Sequence, residues 1–191
     1  IEEIQEIVTF AKKQGKLTIL NMNRLFHEYE LEELKTYIQF FLTLEIDYYI
    51  CSDLAVLYIF MELGKLNQLI YHARTMITAT EEANYWKNKG LHSVFVSNEL
   101  TLEDIYAIAT TKSIAIEAYG HHQIFSSKRD LVSLYFTQSN NSNRKPKFTK
   151  YLMQEELRNE KYPILENHHG TVIYSAYKYA ILEELDKIKD L

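Results

Sequence analysis

The chain has 191 residues, 47% of them hydrophobic, with only 5 Gly and 2 Pro; it can bury a core, and disordered, collagenous and low-complexity classes are excluded. Its 26 acids outnumber 21 Lys and Arg for a net charge of -5, which argues against indiscriminate binding along nucleic-acid backbones but permits a local basic patch. A single cysteine, Cys51, excludes an intramolecular disulfide and any metal or cluster site built on several thiolates of this chain.

The opening IEEIQEIVTFAKKQG reads as an amphipathic helix rich in acids. It has neither the apolar core nor the small-residue cleavage site of a secretory leader, and no apolar run approaches the roughly 20 residues of a bilayer span. A cytoplasmic protein without membrane association is expected. From residue 17 to residue 118, β-rich runs alternate with helical stretches. The runs are LTILNMN (17–23), DYYICS (47–52), QLIYHA (68–73), HSVFVS (92–97) and SIAIEAYG (113–120), nearly continuous in apolar character as buried parallel strands are. Between them EYELEELKTYIQFFLTLE, DLAVLYIFMELGK, TATEEANYWKNKG and TLEDIYAIATT carry apolar residues at helical spacing. Asp53, Thr80 and Thr101 are expected N-caps, and Gly64 and Gly90 expected C-terminal stops. After Gly120 the rhythm breaks. QIFSSKRDLVSLYF is amphipathic, TQSNNSNRKPKFTKY is linker-like, and YLMQEELRNEKYPILENHHGTVIYS predicts an antiparallel insertion of two or three strands. The final AYKYAILEELDKIKDL predicts a helix with Tyr177, Ala180, Ile181, Leu182, Leu185 and Ile188 as its apolar stripe.

About five βα units with short connections fit a TIM-type barrel or a doubly wound sheet, and no Gly-rich phosphate loop follows any strand. The expected class is therefore α/β, a partial TIM-type (β/α) barrel, followed by the small antiparallel insertion and a C-terminal helix. A closed barrel needs eight strands and about 250 residues, so the chain reads as a piece lacking its first βα units, with edges that a partner or another copy would cover. The expected division is 1–122 for the βα units and 123–191 for the C-terminal part with its basic loop.

In a barrel, residues at strand C-terminal ends face the site, which makes Asn21, Asn23, Ser52, Asp53, His72, Ser97, Asn98, Glu99, Glu117 and Tyr119 positional candidates. Asp53 also reads as a simple helix cap. Glu117, a carboxylate in an apolar run, needs a partner or a function. His121 with His122 and His168 with His169 are read as loop histidines, since adjacent residues rarely ligate one ion and no HExxH is present; no metal is expected. Cys51 in an apolar strand reads as inert, and Ser126, Ser127 and Ser133 lack a nucleophile elbow. Lys128, Arg129, Arg144, Lys145, Lys147 and Lys150 face one acid, Asp130, and with Tyr135, Phe136, Phe148 and Tyr151 nearby this segment could combine phosphate contacts with base stacking.

The ordered set GKLTILNMNRLFHEYELEELKTYI, IDYYICSDLAVL, TMITATEEANYWKNKGLHSVFVSNELTLEDI, IAIEAYGHHQIFSSKRDLVSLYF and YPILENHHGTVIYSAYKYAILEEL resembles the peptidase U-32 family, the collagenase-like proteases, and in particular its short Gram-positive-type branch. The resemblance implies a TIM-type fold and a role in oxygen-independent hydroxylation, with prephenate as oxygen source where RNA is the substrate. The family's motif runs His-Gly, a cysteine, then Ser-Gly-x-Cys-Leu-Leu-Ser, with two cysteines downstream that complete a set resembling iron-sulfur ligands. Here the His-Gly falls on Tyr119 and Gly120, the first cysteine on Gln123, the serine on Ser127, the second cysteine on Asp130 and the last serine on Ser133, and the downstream pair has no counterpart around Asn143 and Arg144. Gln and Asp do not supply the soft thiolates a cluster needs.

The resemblance thus implies a cluster-less subunit in prephenate-dependent 5-hydroxylation of the tRNA wobble uridine, partnering tRNA and a cysteine-bearing paralogue, with no iron-sulfur cofactor. Glu117, Tyr119 and His121 are the catalytic candidates. Arg129, Asn23, Asp53 and Lys128 are the substrate-binding ones, the Arg129 fork suiting a carboxylate or phosphate, and Arg144, Lys145, Lys147 and Lys150 the RNA contacts. Two alternatives stand beside this: a true collagenase-like peptidase, and a non-catalytic partner of the paralogue.

Overall fold

The structure is a computed structural model and describes residues 2–73, 77–139 and 150–189. The chain divides into two compact units, Ile1–Ile116 with Lys187–Leu191, and Glu117–Asp186.

The first unit carries α1 (Glu2–Lys13), β1 (Ile19–Met22), α2 (Leu31–Thr43), β2 (Tyr48–Cys51), α3 (Leu54–Glu62), β3 (Leu69–Tyr71), α4 (Thr80–Asn88), β4 (Ser93–Phe95), α5 (Leu102–Ala109) and β5 (Ile114–Ala115). The strands pair in parallel in the order β1-β2-β3-β4-β5, so the expected α/β alternation with a parallel sheet is what forms. All three residues of the central strand β3 are buried, the pattern of a strand covered on both faces. Tyr49 and Phe60 are fully buried with ring centroids 5.0 Å apart, and the Tyr49 hydroxyl donates to the Phe41 carbonyl at 3.0 Å. That bond satisfies the one polar atom the ring takes into the core, and burial of the ring contributes about 2 kcal/mol. The register of β1 on β2 is pinned just ahead of the pair by Asp47, which accepts from the Thr18 amide (2.7 Å) and hydroxyl (2.9 Å).

Asp53 caps α3, accepting from the Ala55 amide at 2.8 Å, and Thr101 caps α5 in a reciprocal box with Asp104, as the sequence predicts. Gly64 and Gly90 have φ of 65° and 97°. The expected cap at Thr80 is displaced by one residue: Ala79 is the N-cap, and the Glu82 carboxylate reaches back to the amides of Thr78 and Ala79. The acid at the third helical position holds the two amides that precede the helix, and the Thr80 hydroxyl is not the cap.

The second unit carries β6 (Tyr119–Gly120), β7 (Gln123–Ser127), α6 (Leu131–Gln138), β8 (Tyr151–Gln154), β9 (Lys161–Asn167), β10 (Gly170–Tyr174) and β11 (Tyr179–Ala180), then a 3₁₀ turn, Leu182–Glu184; α7 (Leu185–Lys189) ends the described chain. An antiparallel sheet runs β7-β10-β9-β8, and β6 and β11 form a separate antiparallel ribbon. The predicted insertion is therefore present and is joined by β7, the first half of the segment read as amphipathic; its second half is α6.

Two expectations are corrected. The run SIAIEAYG is not one strand: β5 ends at Ala115, and Tyr119 and Gly120 turn to pair antiparallel with Ala180 and Tyr179. The final stretch is not one helix, because Tyr179 and Ala180 are in the ribbon, Tyr177 is exposed, and α-helix begins only at Leu185. The Ile181 amide donates to the Ala118 carbonyl at 3.0 Å; cross-strand pairing took residues whose spacing alone suggested a helical stripe. Among the described residues no helix is long and apolar enough to cross a membrane.

Candidate functional site

In the first unit, three positional candidates converge at the C-terminal ends of β1, β2 and β3. The Ser52 hydroxyl donates to the Asn23 side-chain carbonyl and lies 2.8 Å from the His72 backbone carbonyl, while Asn23 Nδ2 lies 3.1 Å from His72 Nδ1. The His72 ring is buried and stacks on Phe95 with centroids 4.2 Å apart. The array holds one imidazole in a fixed orientation with Asn23 amide as donor to Nδ1, which leaves that nitrogen as acceptor and the proton on Nε2. Asn21 takes no part in it; its side chain accepts from the Asn23 amide and shapes the turn. Ser97 is buried and accepts from the Glu99 amide.

Asp53 has both carboxylate oxygens on backbone amides, Ala55 at 2.8 Å and Phe26 at 2.7 Å. It thereby ties the β1–α2 loop to the head of α3. The same loop is clamped by Glu30, which pairs with Arg24 and accepts from the His27 amide at 2.7 Å. Cys51 lies at the end of β2, fully buried; burial and the Asp53 charge push its thiol up to about 12, and a neutral buried thiol is a poor nucleophile.

In the second unit, the histidine that faces Glu117 is His122. Its Nε2 lies 3.6 Å from Glu117 Oε2, beyond hydrogen-bond reach but within ion-pair range when the imidazole is protonated, and its buried ring lies 4.4 Å from Tyr179. His121, the catalytic candidate, has Nδ1 at 2.7 Å from the Ser175 carbonyl. Buried Ser175 organises this corner: it accepts from the His122 amide (3.1 Å) and donates to the Tyr177 carbonyl (2.7 Å). Tyr119 projects into solvent. Two adjacent histidines look equivalent in sequence; which of them meets Glu117 is set by the fold, which turns His122 toward Glu117 and His121 toward the Ser175 carbonyl.

Sequence reasoning also missed Glu166. From β9 its carboxylate accepts from the amides of Val132 (2.7 Å) and Ser133 (3.1 Å) and from the hydroxyls of Ser133 (2.5 Å) and Thr171 (2.8 Å). Burial raises its pKa, but the Ser133 and Thr171 hydroxyls and the two amides outweigh it and hold the group below its ordinary value. The orphan amides of α6 at Val132 and Ser133 are capped by a side chain from another element. Arg129 and Lys128 are exposed between β7 and α6; the Arg129 amide donates to Ser127 Oγ at 3.1 Å and its carbonyl accepts from Thr171. Lys150 is exposed, and Arg144, Lys145 and Lys147 lie outside the described residues. His168 and His169 sit at the exposed β9–β10 turn with rings 3.8 Å apart.

The donors of this chain do not fit an iron-sulfur cluster. Its one cysteine is the buried Cys51, and among the described residues no group of three His, Cys, Asp or Glu could hold a metal ion. The motif positions Gln123 and Asp130 fall in β7 and just before α6, with no sulfur at either.

The family model of peptidase family U32 matches residues 1–191. The tRNA hydroxylation protein P2 of Bacillus subtilis (strain 168) is 29% identical over 194 aligned residues, covering 99% of this chain and 63% of the relative. The 23S rRNA 5-hydroxycytidine C2501 synthase of Escherichia coli (strain K12) is 28% identical over 123 residues, 63% of this chain and 18% of the relative. The chain thus spans less than two thirds of the length of either relative. No solved structure matches it.

Proposed function

The chain belongs to peptidase family U32, and from that premise we propose that it takes part in hydroxylation of RNA, as a subunit without an iron-sulfur cluster in prephenate-dependent 5-hydroxylation of the tRNA wobble uridine in the cytoplasm. The observation that carries the reading is similarity to a tRNA hydroxylation protein along 99% of the chain. The rRNA relative supports the same class of chemistry on a different nucleic acid.

The fold supports a barrel arc. The parallel strands run in unbroken sequential order, and with the right-handed crossovers that are the rule for such units this order would lay the connecting helices on one face, whereas a doubly wound sheet reverses its order at a switch point. In that arrangement Asn23, Ser52 and His72 occupy the rim where barrel enzymes bind substrate. There Asn23 and Ser52 fix the orientation of the buried His72 imidazole. In the second unit, His122 faces Glu117 at 3.6 Å, and the exposed Arg129 offers a planar fork to a carboxylate or phosphate. Since the chain lacks thiolate ligands, a cysteine-bearing relative would supply the cluster chemistry. The peptidase alternative finds no comparable support: the Ser133 hydroxyl is bound to Glu166, and the Cys51 thiol is buried and neutral.

Mass spectrometry of tRNA from cells lacking the gene tests the proposal; loss of 5-hydroxyuridine derivatives is expected, and unchanged levels would refute it. Metal analysis of the purified chain is a second test. Stoichiometric iron and sulfide would end the cluster-less assignment.

A further inference from the structure

We propose that the outer face of the β6/β11 ribbon is a base-stacking surface for single-stranded RNA, with Tyr119 as the stacking ring and Lys178 as the cation beside it; this rests on the reading that the chain acts on RNA. In the ribbon Tyr179 pairs with Gly120 and Ala180 with Tyr119. Side chains alternate across a strand, so Tyr119, Ala180 and Lys178 share one face and Tyr179 takes the other. The two faces differ as that register requires. Tyr179 lies half-buried against the ring of His122, while Tyr119 is 60% exposed with Ala180 and Lys178 exposed beside it. The Lys178 ammonium stands 5.9 Å from the Tyr119 centroid. Ala180, opposite Tyr119, is too small to cover the ring, and Tyr177, next to Lys178, is 68% exposed.

The ribbon is held in place before any ligand arrives. Ser175, 2% exposed, accepts from the His122 amide, donates to the Tyr177 carbonyl, and sends its own amide to the His122 carbonyl at 2.8 Å. The His121 ring adds a contact to the Ser175 carbonyl, and the Ile181 amide one to Ala118. A rigid aromatic face next to a cation is the arrangement that grips unpaired nucleotides: the ring stacks on any base, and the ammonium meets the phosphate.

A second exposed aromatic pair, His27 stacked on Tyr29 at 5.5 Å, lies on the β1–α2 segment. It is flanked by Glu28, Glu30, Glu32 and Glu33, and Arg24, the cation nearby, is paired with Glu30; in the ribbon Lys178 stands over the Tyr119 ring.

The test measures fluorescence anisotropy of a labelled anticodon stem-loop transcript and an oligouridine with the 191-residue chain. Tyr119→Ala should weaken binding about tenfold, and Tyr119→Phe should recover most of that loss because the ring is what stacks. Lys178→Gln should weaken binding and lower the slope of log affinity against log salt by about 0.7. Tyr29→Ala should leave affinity unchanged, and circular dichroism melts of all four should match the parent, since the altered side chains are exposed. Wild-type affinity in Tyr119→Ala, equal loss in Tyr119→Ala and Tyr29→Ala, or no RNA binding by the parent chain would each overturn the proposal. The two readings separate in cells: if the parent gene restores the tRNA modification to a deletion strain while Tyr119→Ala binds RNA normally, the surface is wrong and the function stands. If deletion leaves the modification intact, the function is wrong, and the binding data still decide the surface.

Discussion

Replacing Gly170 by Ala should cripple the second unit, whereas the same change at Gly64 should be mild. Both glycines have positive φ, 112° and 65°. At Gly64 a Cβ meets nothing within 4 Å, so the cost is the conformational penalty alone, about 1 kcal/mol for an L residue in the left-handed region. At Gly170 the backbone lies in a region used almost only by glycine, costing about 1–3 kcal/mol, and a Cβ would stand 2.0 Å from the Ser127 carbonyl oxygen and 2.7 Å from Lys128 Cα. Those atoms are backbone at the end of β7, next to the Thr171–Ser127 pair, so relief requires separating β7 from β10, at about another 1–3 kcal/mol. The total for Gly170→Ala is about 2–6 kcal/mol. For a chain of this size 1 kcal/mol lowers Tm by about 2–4 °C, so Gly64→Ala should stay within about 4 °C of the parent and Gly170→Ala should fall about 4 °C or more below it, by about 12 °C at mid-range. Thermal unfolding followed by circular dichroism reads both, and hydrogen exchange of the β10 amides localises the damage. Equal losses at the two glycines would refute the argument, because it rests entirely on the close approach at Gly170.

Glu166→Ala should cost about 2 kcal/mol by uncapping α6, and Glu166→Gln should recover part of it. Because the folded pKa of Glu166 is depressed, its charge contributes stability above the ordinary carboxylate value and loses it as pH falls through the folded pKa. The gap between parent and Glu166→Gln in urea midpoint should therefore be level from about pH 7 to 5 and shrink below; a gap that widened on acidification would contradict the hydrogen-bond assignment. Asp53→Ala should lower stability by about 1–2 kcal/mol, since it frees both the α3 amide and the Phe26 amide, with Asp53→Asn closer to the parent in the same denaturation assay. Cys51, with its thiol near 12, should resist a disulfide reagent at pH 8 until denaturant unfolds the chain; rapid modification of the folded protein would show that the first unit is open at β2.

The βα alternation was legible because each run of apolar residues between polar boundaries has one consistent placement in a parallel sheet, and the ends of α3 and α5 were legible because Asp53 and Thr101 cap through amides two or three residues away. The candidate rim was legible in part: strand ends pointed to Asn23, Ser52 and His72 one by one, but their hydrogen bonds exist only because β1, β2 and β3 lie side by side. The same limit explains the rest. His121 contacts Ser175 from 54 positions away, and Val132 is capped by Glu166 from 34. The helical stripe expected at the C-terminus was lost when Tyr179 and Ala180 paired with Gly120 and Tyr119. By itself the sequence determined which residues are apolar, where α3 and α5 start and that one cysteine is all the sulfur ligand it can offer iron. Tertiary structure decided which histidine meets Glu117 and which tyrosine meets solvent, because periodicity acts within one turn or pleat, whereas these contacts are set by backbone partners that only the folded topology brings together.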